Sequence, residues 1–496
     1  MITRAAFFIL FWLLVHTLMA QEVATINPVS SPKSIELSEC CPEEIFKGSG
    51  SLAPELIIIN HIEFEGNEAT RNHILLRELV FAQGDTLTRE ELPHILEKSR
   101  ENLLNTSLFN FVNVSLLFHD MLPIASVKFT FIERWYIWPF PIFEVAERNL
   151  NDWVFNPSFH RTNYGAYIVK ENFRGRMERV SLLARFGYRQ MFNFRYNIPY
   201  LNRAQNIGIN FNVGYARRNE IDYLTQNNVQ LFYSEDESWA LQQFYISTGL
   251  SYRRGIHVHH NFYAGYNKYS FADSLLVLNP QFSPSNETEA PFFTIGYEFK
   301  NDHRDVKAYP LRGYYFDIRI RKEGLGLLPK EKIDLTQLET SVRNFWKLHS
   351  RWYFAAGINA KVSTGNYQPY YLQQGLGFKG DIVRGYENFV IDGQHFAVLK
   401  SNFKYNLIPS TVTRIGFINN EKFSLIHYAL YINFFTDIGY VRDNLFFNQN
   451  TFSNSFLQGS GIGFDLVTYY DKVFRTEFSI TRHGNAGVYL HLIAPI

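Results

Sequence analysis

The chain from Tyr136 to Ile496 alternates apolar and polar residues, segment after segment, with the period of two that is typical of β-strands. In residues 313–321 one face holds Tyr314, Phe316, Ile318 and Ile320, and the other holds Tyr315, Asp317, Arg319 and Arg321. The segments run for about ten residues, which a tilted strand needs to cross a bilayer, whereas soluble strands average about five or six. We therefore predict an all-β transmembrane barrel of about 16 antiparallel strands over residues 136–496.

Residues 55–135 have a different pattern, in which short strand-like and helix-like segments follow one another. The capping-box spacing of Thr88 and Glu91 predicts the start of a helix. The order is β-α-α-β-β, with strands at Ile57–Glu65, Phe111–Phe118 and Ile124–Glu133, a first helix at Thr70–Leu79 and a second helix after Thr88. This order predicts a small α/β domain ahead of the barrel.

The first twenty residues have the pattern of a signal peptide, with Arg4 ahead of the apolar run Ala5–Val15 and Ala20 at a plausible cleavage point. We expect residues 1–20 to be removed on export and the polar residues 21–54 to form a flexible linker. Cys40 and Cys41 are adjacent, so they close no loop; a vicinal disulfide and two free thiols both remain open.

Composition favours a membrane barrel over the other classes. Aromatic residues make up 17% of the chain, as the interfacial girdles of such barrels require. A mean hydropathy of -0.18 is too low for a bundle of membrane helices. A net charge of +1 argues against nucleic acid as a partner. A soluble β-sandwich would also alternate, but the second set of apolar faces that its core needs is missing.

The N-terminal domain resembles a single POTRA domain of the BamA/TamA superfamily of outer-membrane assembly and translocation barrels. The matching pattern consists of Ile62, Phe64, Gly66 and Asn67, then Gly84 and Asp85, Leu103, and Leu108, Phe109, Val112 and Val114. The resemblance implies that a substrate segment pairs with a sheet edge, for which we select Phe111, Val112, Asn113 and Val114.

The barrel region resembles the same superfamily in three segments. Asp302–Gly313 is similar to its D-x-R-D...P-x-x-G segment, Val383, Arg384, Gly385 and Tyr386 match its VRG[FY] motif, and Phe434–Gly439 is similar to a later strand with an inward Asp. The resemblance implies a loop around residues 375–395 that folds into the lumen. This chain departs from the family pattern at Asn402 and Lys404, where Glu-x-Arg is frequent, and at the terminal Ile496, where an aromatic residue is frequent.

A guanidinium inside the barrel would need a carboxylate as its partner. Alternation turns Asp437 inward, opposite lipid-facing Phe434 and Ile438, and Asp465 on the next strand is a second candidate. We predict that Arg384 pairs with Asp437 and so fixes the loop. The alternative is that Arg384 is exposed in a loop.

The strands that would close the barrel contain prolines. Pro139 and Pro141 lie in the expected first strand, near Trp138–Ala146, and each lacks a backbone donor. We therefore predict a weak seam where this strand meets the last strand, near Gly487–Ala494, with Ile142 and Leu490 as neighbours. The alternative is that both prolines belong to the preceding linker.

The function that these features favour is the insertion of polypeptides into, or their translocation across, the bacterial outer membrane. The expected partners are outer membrane lipid, unfolded outer-membrane or secreted polypeptides, and periplasmic or lipoprotein accessory subunits. The alternative is a passive or receptor-type pore. Without a catalytic motif we predict no enzymatic activity and no cofactor. His257 and His259 share a strand face but have no third ligand, so we predict no metal site.

Overall fold

The computed structural model describes residues 35–36, 56–118, 123–145, 162–235, 238–365, 368–377, 381–416, 418, 420–445, 450–468 and 470–493. The predicted signal peptide, Cys40 and Cys41 lie outside the described residues, and so does the predicted linker except for residues 35–36. No helix in the described part of the chain is both long enough and apolar enough to cross a membrane.

The N-terminal domain is a five-stranded sheet covered by two helices. Its elements are β1 (Ile35–Glu36), β2 (Leu56–Glu65), α1 (Asn72–Leu76), β3 (Thr86–Thr88), α2 (Leu92–Leu104), β4 (Phe109–Phe118) and β5 (Ile124–Glu133). The sheet order is β1-β4-β5-β2-β3, and only β2 and β5 run parallel. The helices bury Leu75, Leu92, Leu96 and Leu103 against Phe129. This apolar core holds the domain together.

Three details of this domain differ from the sequence prediction. The short strand β3 separates the two helices, and α1 ends at Leu76 although Leu79 is still buried. β1 lies in the predicted linker and pairs with β4 at Leu116 and Ser115. Thr88 and Glu91 form the two hydrogen bonds of a capping box, from the Glu91 amide to Thr88 Oγ1 at 3.2 Å and from the Thr88 amide to Glu91 Oε2 at 3.4 Å, but they precede the helix, whose N-cap is Glu91.

The second part of the chain forms an antiparallel sheet of sixteen strands, as predicted. The strands are β6 (Ile137–Val145), β7 (Thr162–Phe173), β8 (Glu178–Gly187), β9 (Arg189–Ile198), β10 (Ile207–Arg218), β13 (Leu241–Arg254), β14 (Val258–Phe271), β15 (Glu289–Asp302), β16 (Gly313–Glu323), β17 (Leu335–Lys347), β18 (Trp352–Thr364), β19 (His395–Arg414), β20 (Leu425–Arg442), β21 (Phe456–Thr468), β22 (Lys472–Thr481) and β23 (Ala486–Ile493). Each strand pairs with the next, except that β10 pairs with β13.

The sequence pattern gave no sign of some smaller elements. A separate hairpin of β11 (Glu220–Gln226) and β12 (Val229–Ser234) interrupts the strand order between β10 and β13. A short helix, α3 (Asp273–Leu278), follows β14, and another, α4 (Glu421–Ser424), precedes β20.

The alternation of the strands separates a lipid face from a lumen face. On β16, Tyr314 and Ile320 are exposed on the outer face while Tyr315 and Asp317 are buried. The outer aromatic and aliphatic side chains are those that the sequence pattern assigns to lipid, so the predicted register of this strand is confirmed.

The sheet is not closed by hydrogen bonds in the described residues. β6 and β23 are the two ends of the sixteen-strand order, and no ladder joins them. The outward side chains Val488, Leu490 and Leu492 of β23 are 62–67% exposed, against 44–53% for Phe474, Phe478 and Ile480 of the neighbouring β22. Among the described residues the expected pairing of first and last strands is therefore absent, and each of the two strands has one free edge.

The N-terminal domain lies against the end of the sheet at which β6 begins. Its buried Glu78 accepts hydrogen bonds from Arg253 of β13, at 2.5 and 2.7 Å, and from the hydroxyl of Tyr200, at 3.1 Å. Burial and the Glu78 carboxylate raise the pKa of Tyr200 to about 12, so its hydroxyl stays protonated as a donor. At another strand connection, Asn105 Nδ2 donates to the Asp305 carbonyl at 2.8 Å. These contacts fix the domain over one mouth of the sheet.

Candidate functional site

The segment between β18 and β19, residues 365–394, folds back onto the inner face of the last strands. Gly385 has a φ of +96°, which favours glycine, and a Cβ atom there would lie 2.6 Å from Cγ2 of Thr481. A Cβ atom at Gly459 of β21 would lie 1.7 Å from the carbonyl oxygen of Arg384. Both positions require glycine because the loop backbone lies directly on the strands.

Arg384 is buried in the lumen and faces Asp437 of β20. Its Nε and Nη2 atoms donate to the two Asp437 carboxylate oxygens at 2.8 and 2.5 Å, and its backbone amide donates to the same carboxylate at 3.2 Å. Asp437 is completely buried. A bidentate pair in this setting is strong only while both partners are present, because either charge alone would be uncompensated.

Three further side chains contact Arg384, and none of these contacts was predicted from the sequence. Nη1 donates to Asn402 Oδ1 at 2.7 Å and to Glu477 Oε1 at 3.3 Å. The guanidinium carbon lies 3.9 Å from the ring centroid of Phe435. Asn402 lies where the pattern of the resembled family frequently has Glu, and in this chain Glu477 on β22 is a second carboxylate beside Arg384.

Asp465 does not contact Arg384, contrary to the prediction that it is a second anchoring carboxylate. The Asp465 carboxylate accepts hydrogen bonds from Arg475 at 2.7 and 3.0 Å and from the Tyr309 hydroxyl at 2.7 Å. Asp465 pairs in register with Tyr431 of β20. The loop backbone contacts β21 at Gly459, which is six residues before Asp465 in the sequence. The Arg384 guanidinium lies beside Glu477, whereas Asp465 is bound by Arg475, the residue directly opposite it on β22.

The neighbours of Arg384 in the motif fix the loop by packing. Val383 and Tyr386 are buried in an apolar cluster with Leu376, Ile391 and Phe452, among others. The Tyr386 hydroxyl hydrogen-bonds to Nδ1 of His483 at 2.7 Å. All four motif residues therefore contact the strand wall, two through side-chain packing, one through charge and one through a close backbone approach.

A cavity of about 760 Å³ lies beside the anchored loop, on the lumen side of the sheet. Basic side chains outnumber acidic ones in its wall and include Arg321, Arg343, Lys400 and Lys404. Lys404 lies 3.9 Å from the ring centroid of Tyr309. The cavity wall therefore carries an excess of positive charge.

The two prolines of the predicted seam lie within β6, which excludes the alternative that they belong to the linker. The Glu171 amide donates to the Tyr136 carbonyl at 2.8 Å, so even-numbered residues of β6 form the hydrogen-bonded pairs with β7. Pro139 and Pro141 pair in register with Ile168 and Ala166, and their ring nitrogens face the free edge. The edge that would meet β23 therefore lacks two donors.

Ile142 and Leu490 lie on opposite faces of the sheet, contrary to the prediction that they are neighbours across the seam. Ile142 shares a face with Glu144, whose carboxylate lies 3.6 Å from Arg185 in the lumen. On β23, Tyr489 donates to the Gly385 carbonyl at 3.3 Å, so Leu490 points to the lipid face. A crosslink across the seam needs a different pair.

The predicted substrate edge belongs to β4, and β5 pairs with its other side. In the described residues β1 covers β4 only at Ser115 and Leu116, so no strand pairs with the outer edge of residues 111–114. Val112 and Val114 are buried in the domain core, and Asn113 is exposed. The Phe111 ring packs edge-on against His427 of β20 at 6.2 Å between centroids, which places this edge beside the last strands of the sheet.

The structure separates His257 from His259. His257 lies in the turn before β14, stacks on His303 at 4.0 Å between ring centroids, and its Nδ1 lies 2.8 Å from the Asp302 carbonyl. Burial and the adjacent His303 lower the pKa of His257 to about 4. This pair is a packing contact at the mouth of the sheet.

Two family models match the chain. The Omp85 superfamily domain matches residues 172–468, more than half of the chain, and a POTRA model described as a surface antigen variable number repeat matches residues 57–134. No curated protein matches.

The chain is similar to solved structures of low sequence identity. CdiB from Escherichia coli has 11% identity and a TM-score of 0.50, covering 88% of this chain and 76% of that one. BamA from Haemophilus ducreyi lacking POTRA domains 1–3 has 14% identity and a TM-score of 0.46, with 88% and 84% covered. CdiB from Acinetobacter baumannii has 12% identity and a TM-score of 0.44, with 88% and 73% covered.

Proposed function

The chain belongs to the Omp85 superfamily, and from this membership we propose that it inserts polypeptides into, or translocates them across, the bacterial outer membrane. The POTRA domain lies in the periplasm and binds the incoming segment, and the barrel opens between its first and last strands. The partners are outer membrane lipid, unfolded outer-membrane or secreted polypeptides, and accessory subunits in the periplasm. The protein is not an enzyme.

The free seam is the observation that carries this proposal. β6 and β23 expose their edges, and the missing donors of Pro139 and Pro141 face the gap. An unpaired strand edge is a template for another strand. A polypeptide can therefore add to β23, fold at the seam and leave sideways into the bilayer.

The predicted substrate edge, residues 111–114 of β4, lies close to this seam. This closeness supports a direct path for a polypeptide from the edge to the seam. Arg134, next to β5, forms an ion pair of 2.6 Å with Asp471 in the turn between β21 and β22. In the same turn, the Tyr470 ring packs edge-on against Trp138 of β6, at 5.1 Å between centroids. A segment added to β4 at residues 111–114 would start beside the strands that it has to reach.

A disulfide across the seam tests the gate. Phe143 of β6 and Val488 of β23 both point to the lipid face, so cysteines there, scanned by two residues along β23, can be joined. We expect the oxidised protein to lose outer-membrane assembly or export, measured by comparing outer-membrane and secreted proteomes, and reduction to restore it. Each single-cysteine variant is the matched control. Full activity of the crosslinked protein would contradict the gate.

A photo-crosslinking residue in place of Asn113 tests the predicted substrate edge. We expect it to form adducts with unfolded outer-membrane polypeptides, whereas the same residue at Glu90, exposed but outside the sheet, should not. Equal yields at the two positions would contradict edge capture.

The passive pore remains the second candidate, because the cavity of about 760 Å³ beside the loop is lined with charged residues. Steady conductance in planar bilayers, together with unchanged proteomes when the protein is removed, would favour this candidate over insertion or translocation.

A further inference from the structure

Three potential metal ligands from separate segments meet beside the anchored loop. They are Glu387, which follows the Val383–Tyr386 motif, Glu477 of β22 and His491 of β23. One atom from each lies within 4.8 Å of the other two. Nε2 of His491 is 3.5 Å from Oε2 of Glu477 and 3.9 Å from Oε1 of Glu387.

Among the described residues, Glu387 and Glu477 accept hydrogen bonds with the oxygens that do not converge on His491. Glu387 engages its other oxygen with the Gly385 amide at 2.7 Å, and Glu477 turns its other oxygen to Arg384 at 3.3 Å. Oε1 of Glu387 and Nε2 of His491 are buried and have no hydrogen-bond partner among the described residues. The side chains of Glu387 and Glu477 are only 11% and 1% exposed. Buried polar atoms without a partner are costly unless something binds them.

The ligand types and spacing suit a divalent transition metal. An imidazole nitrogen and two carboxylate oxygens bind Zn²⁺ at about 2.0 to 2.2 Å each, and atoms around one tetrahedral ion are then about 3.3 to 3.6 Å apart. The observed separations need only small side-chain rotations to reach this geometry. Imidazole favours zinc over calcium or magnesium, which prefer oxygen ligands alone.

The surroundings supply the outer contacts and an entry path that such a site requires. The Gly385 amide orients Glu387, and Arg384 orients Glu477. The charges of Arg384 and Arg475 are matched by Asp437 and Asp465, at 2.5 and 2.7 Å. Glu477 and His491 also line the cavity on the lumen side of the sheet, and an ion would have to enter through this cavity.

We propose that Glu387, Glu477 and His491 form a zinc site that ties the lumen loop to β23, the last strand at the open seam. The tie joins the loop that is anchored in the lumen to β23, one of the two strands that have a free edge among the described residues. Metal occupancy would hold β23 in position and protect the loop.

Isothermal titration of Zn²⁺ into the tag-free, full-length protein in detergent tests this site. We expect one equivalent to bind, and both His491→Ala and Glu387→Gln to weaken binding about tenfold or more. His349→Ala, in the exposed turn between β17 and β18, is the matched control and should bind as the parent does. Glu387→Gln replaces one loop oxygen by an amide and keeps the shape of the side chain, so it remains informative if His491→Ala fails to fold.

A second readout reports on the ligands themselves. Co²⁺ bound at this site should show visible absorption bands of a four- or five-coordinate ion, and Zn²⁺ should slow proteolysis of residues 365–394 in the parent but not in Glu387→Gln. No binding by the parent protein, or binding that neither site variant weakens, would overturn the proposal.

Discussion

The loop anchor and the seam lie a few strands apart in one sheet but are built in opposite ways. At the anchor, strands β19 to β22 are paired on both sides, and a buried Arg384–Asp437 pair joins the loop to them. At the seam, β6 and β23 each have one free edge, and Pro139 and Pro141 remove donors from one of them. The difference shows how a single sheet can combine a fixed lumen loop with a movable edge. A buried ion pair fixes the loop, and the missing backbone donors leave the edge of β6 unpaired.

The largest expected effect comes from breaking the anchor. Asp437→Ala leaves Arg384 buried without its main carboxylate, at a cost of about 3 to 5 kcal/mol. We expect faster proteolysis of residues 365–394 and a lower midpoint of urea unfolding in detergent. Asp334→Ala is the matched control, because Asp334 pairs with Lys322 on the surface and its loss should cost about 1 kcal/mol at most. Equal effects of the two substitutions would contradict a buried anchor.

A smaller effect is expected where the loop backbone meets the wall. Gly459→Ala places a methyl group where the Arg384 carbonyl lies, and we expect this overpacking to cost about 1 to 3 kcal/mol and to displace the loop. Gly416→Ala is the control, since an added Cβ atom there meets nothing within 4 Å of the described residues. Urea unfolding of both variants gives the comparison. An unchanged midpoint for Gly459→Ala would mean that the loop does not lie on β21 in solution.

Substitutions at the seam are expected to stabilise the protein, in contrast to those at the anchor. Pro139→Ala combined with Pro141→Ala restores two donors that face β23, and each new hydrogen bond is expected to add about 0.5 to 1.5 kcal/mol. We expect a higher unfolding temperature and reduced assembly or export activity. Pro409→Ala, in the irregular part of β19, is the control. Unchanged stability and activity of the double variant would show that the prolines do not determine the open edge.

The smallest effect is expected from the hydrogen bond that the motif residue Tyr386 forms within the anchor. Tyr386→Phe removes the hydroxyl that hydrogen-bonds to His483, at a cost of about 0.5 to 1.5 kcal/mol, but keeps the ring in its apolar cluster. Tyr440→Phe, on the exposed outer face, should change little. Urea unfolding separates the two. A loss at Tyr386 as large as that at Asp437 would mean that charge is not the main contribution to the anchor.

The sequence predicts the local parts of this architecture well, because they depend on periodicity. Alternation with a period of two identifies the strands and turns Asp437 inward, and the spacing of Thr88 and Glu91 places the start of α2 to within a few residues. Contacts between distant segments do not follow from periodicity. The position of Glu477 next to Arg384 and the contacts of Asp465 with Arg475 and Tyr309 depend on strand stagger and on the path of the loops. The opposite faces of Ile142 and Leu490 do follow from alternation, since Ile142 shares a face with Glu144 and Leu490 alternates with Tyr489 and His491. The open seam depends on the curvature of the whole sheet, to which every strand contributes.

The pairing of β1 with β4 has a consequence for any polypeptide that the N-terminal domain binds. β1 occupies Ser115 and Leu116, so an incoming segment that extends along β4 beyond Val114 must displace it. Because β1 belongs to the same chain, it competes at an effective concentration of about millimolar, whatever the concentration of the incoming segment. A segment that pairs weakly beyond Val114 would therefore lose this competition, and its contact with β4 would stay limited to residues 111–114.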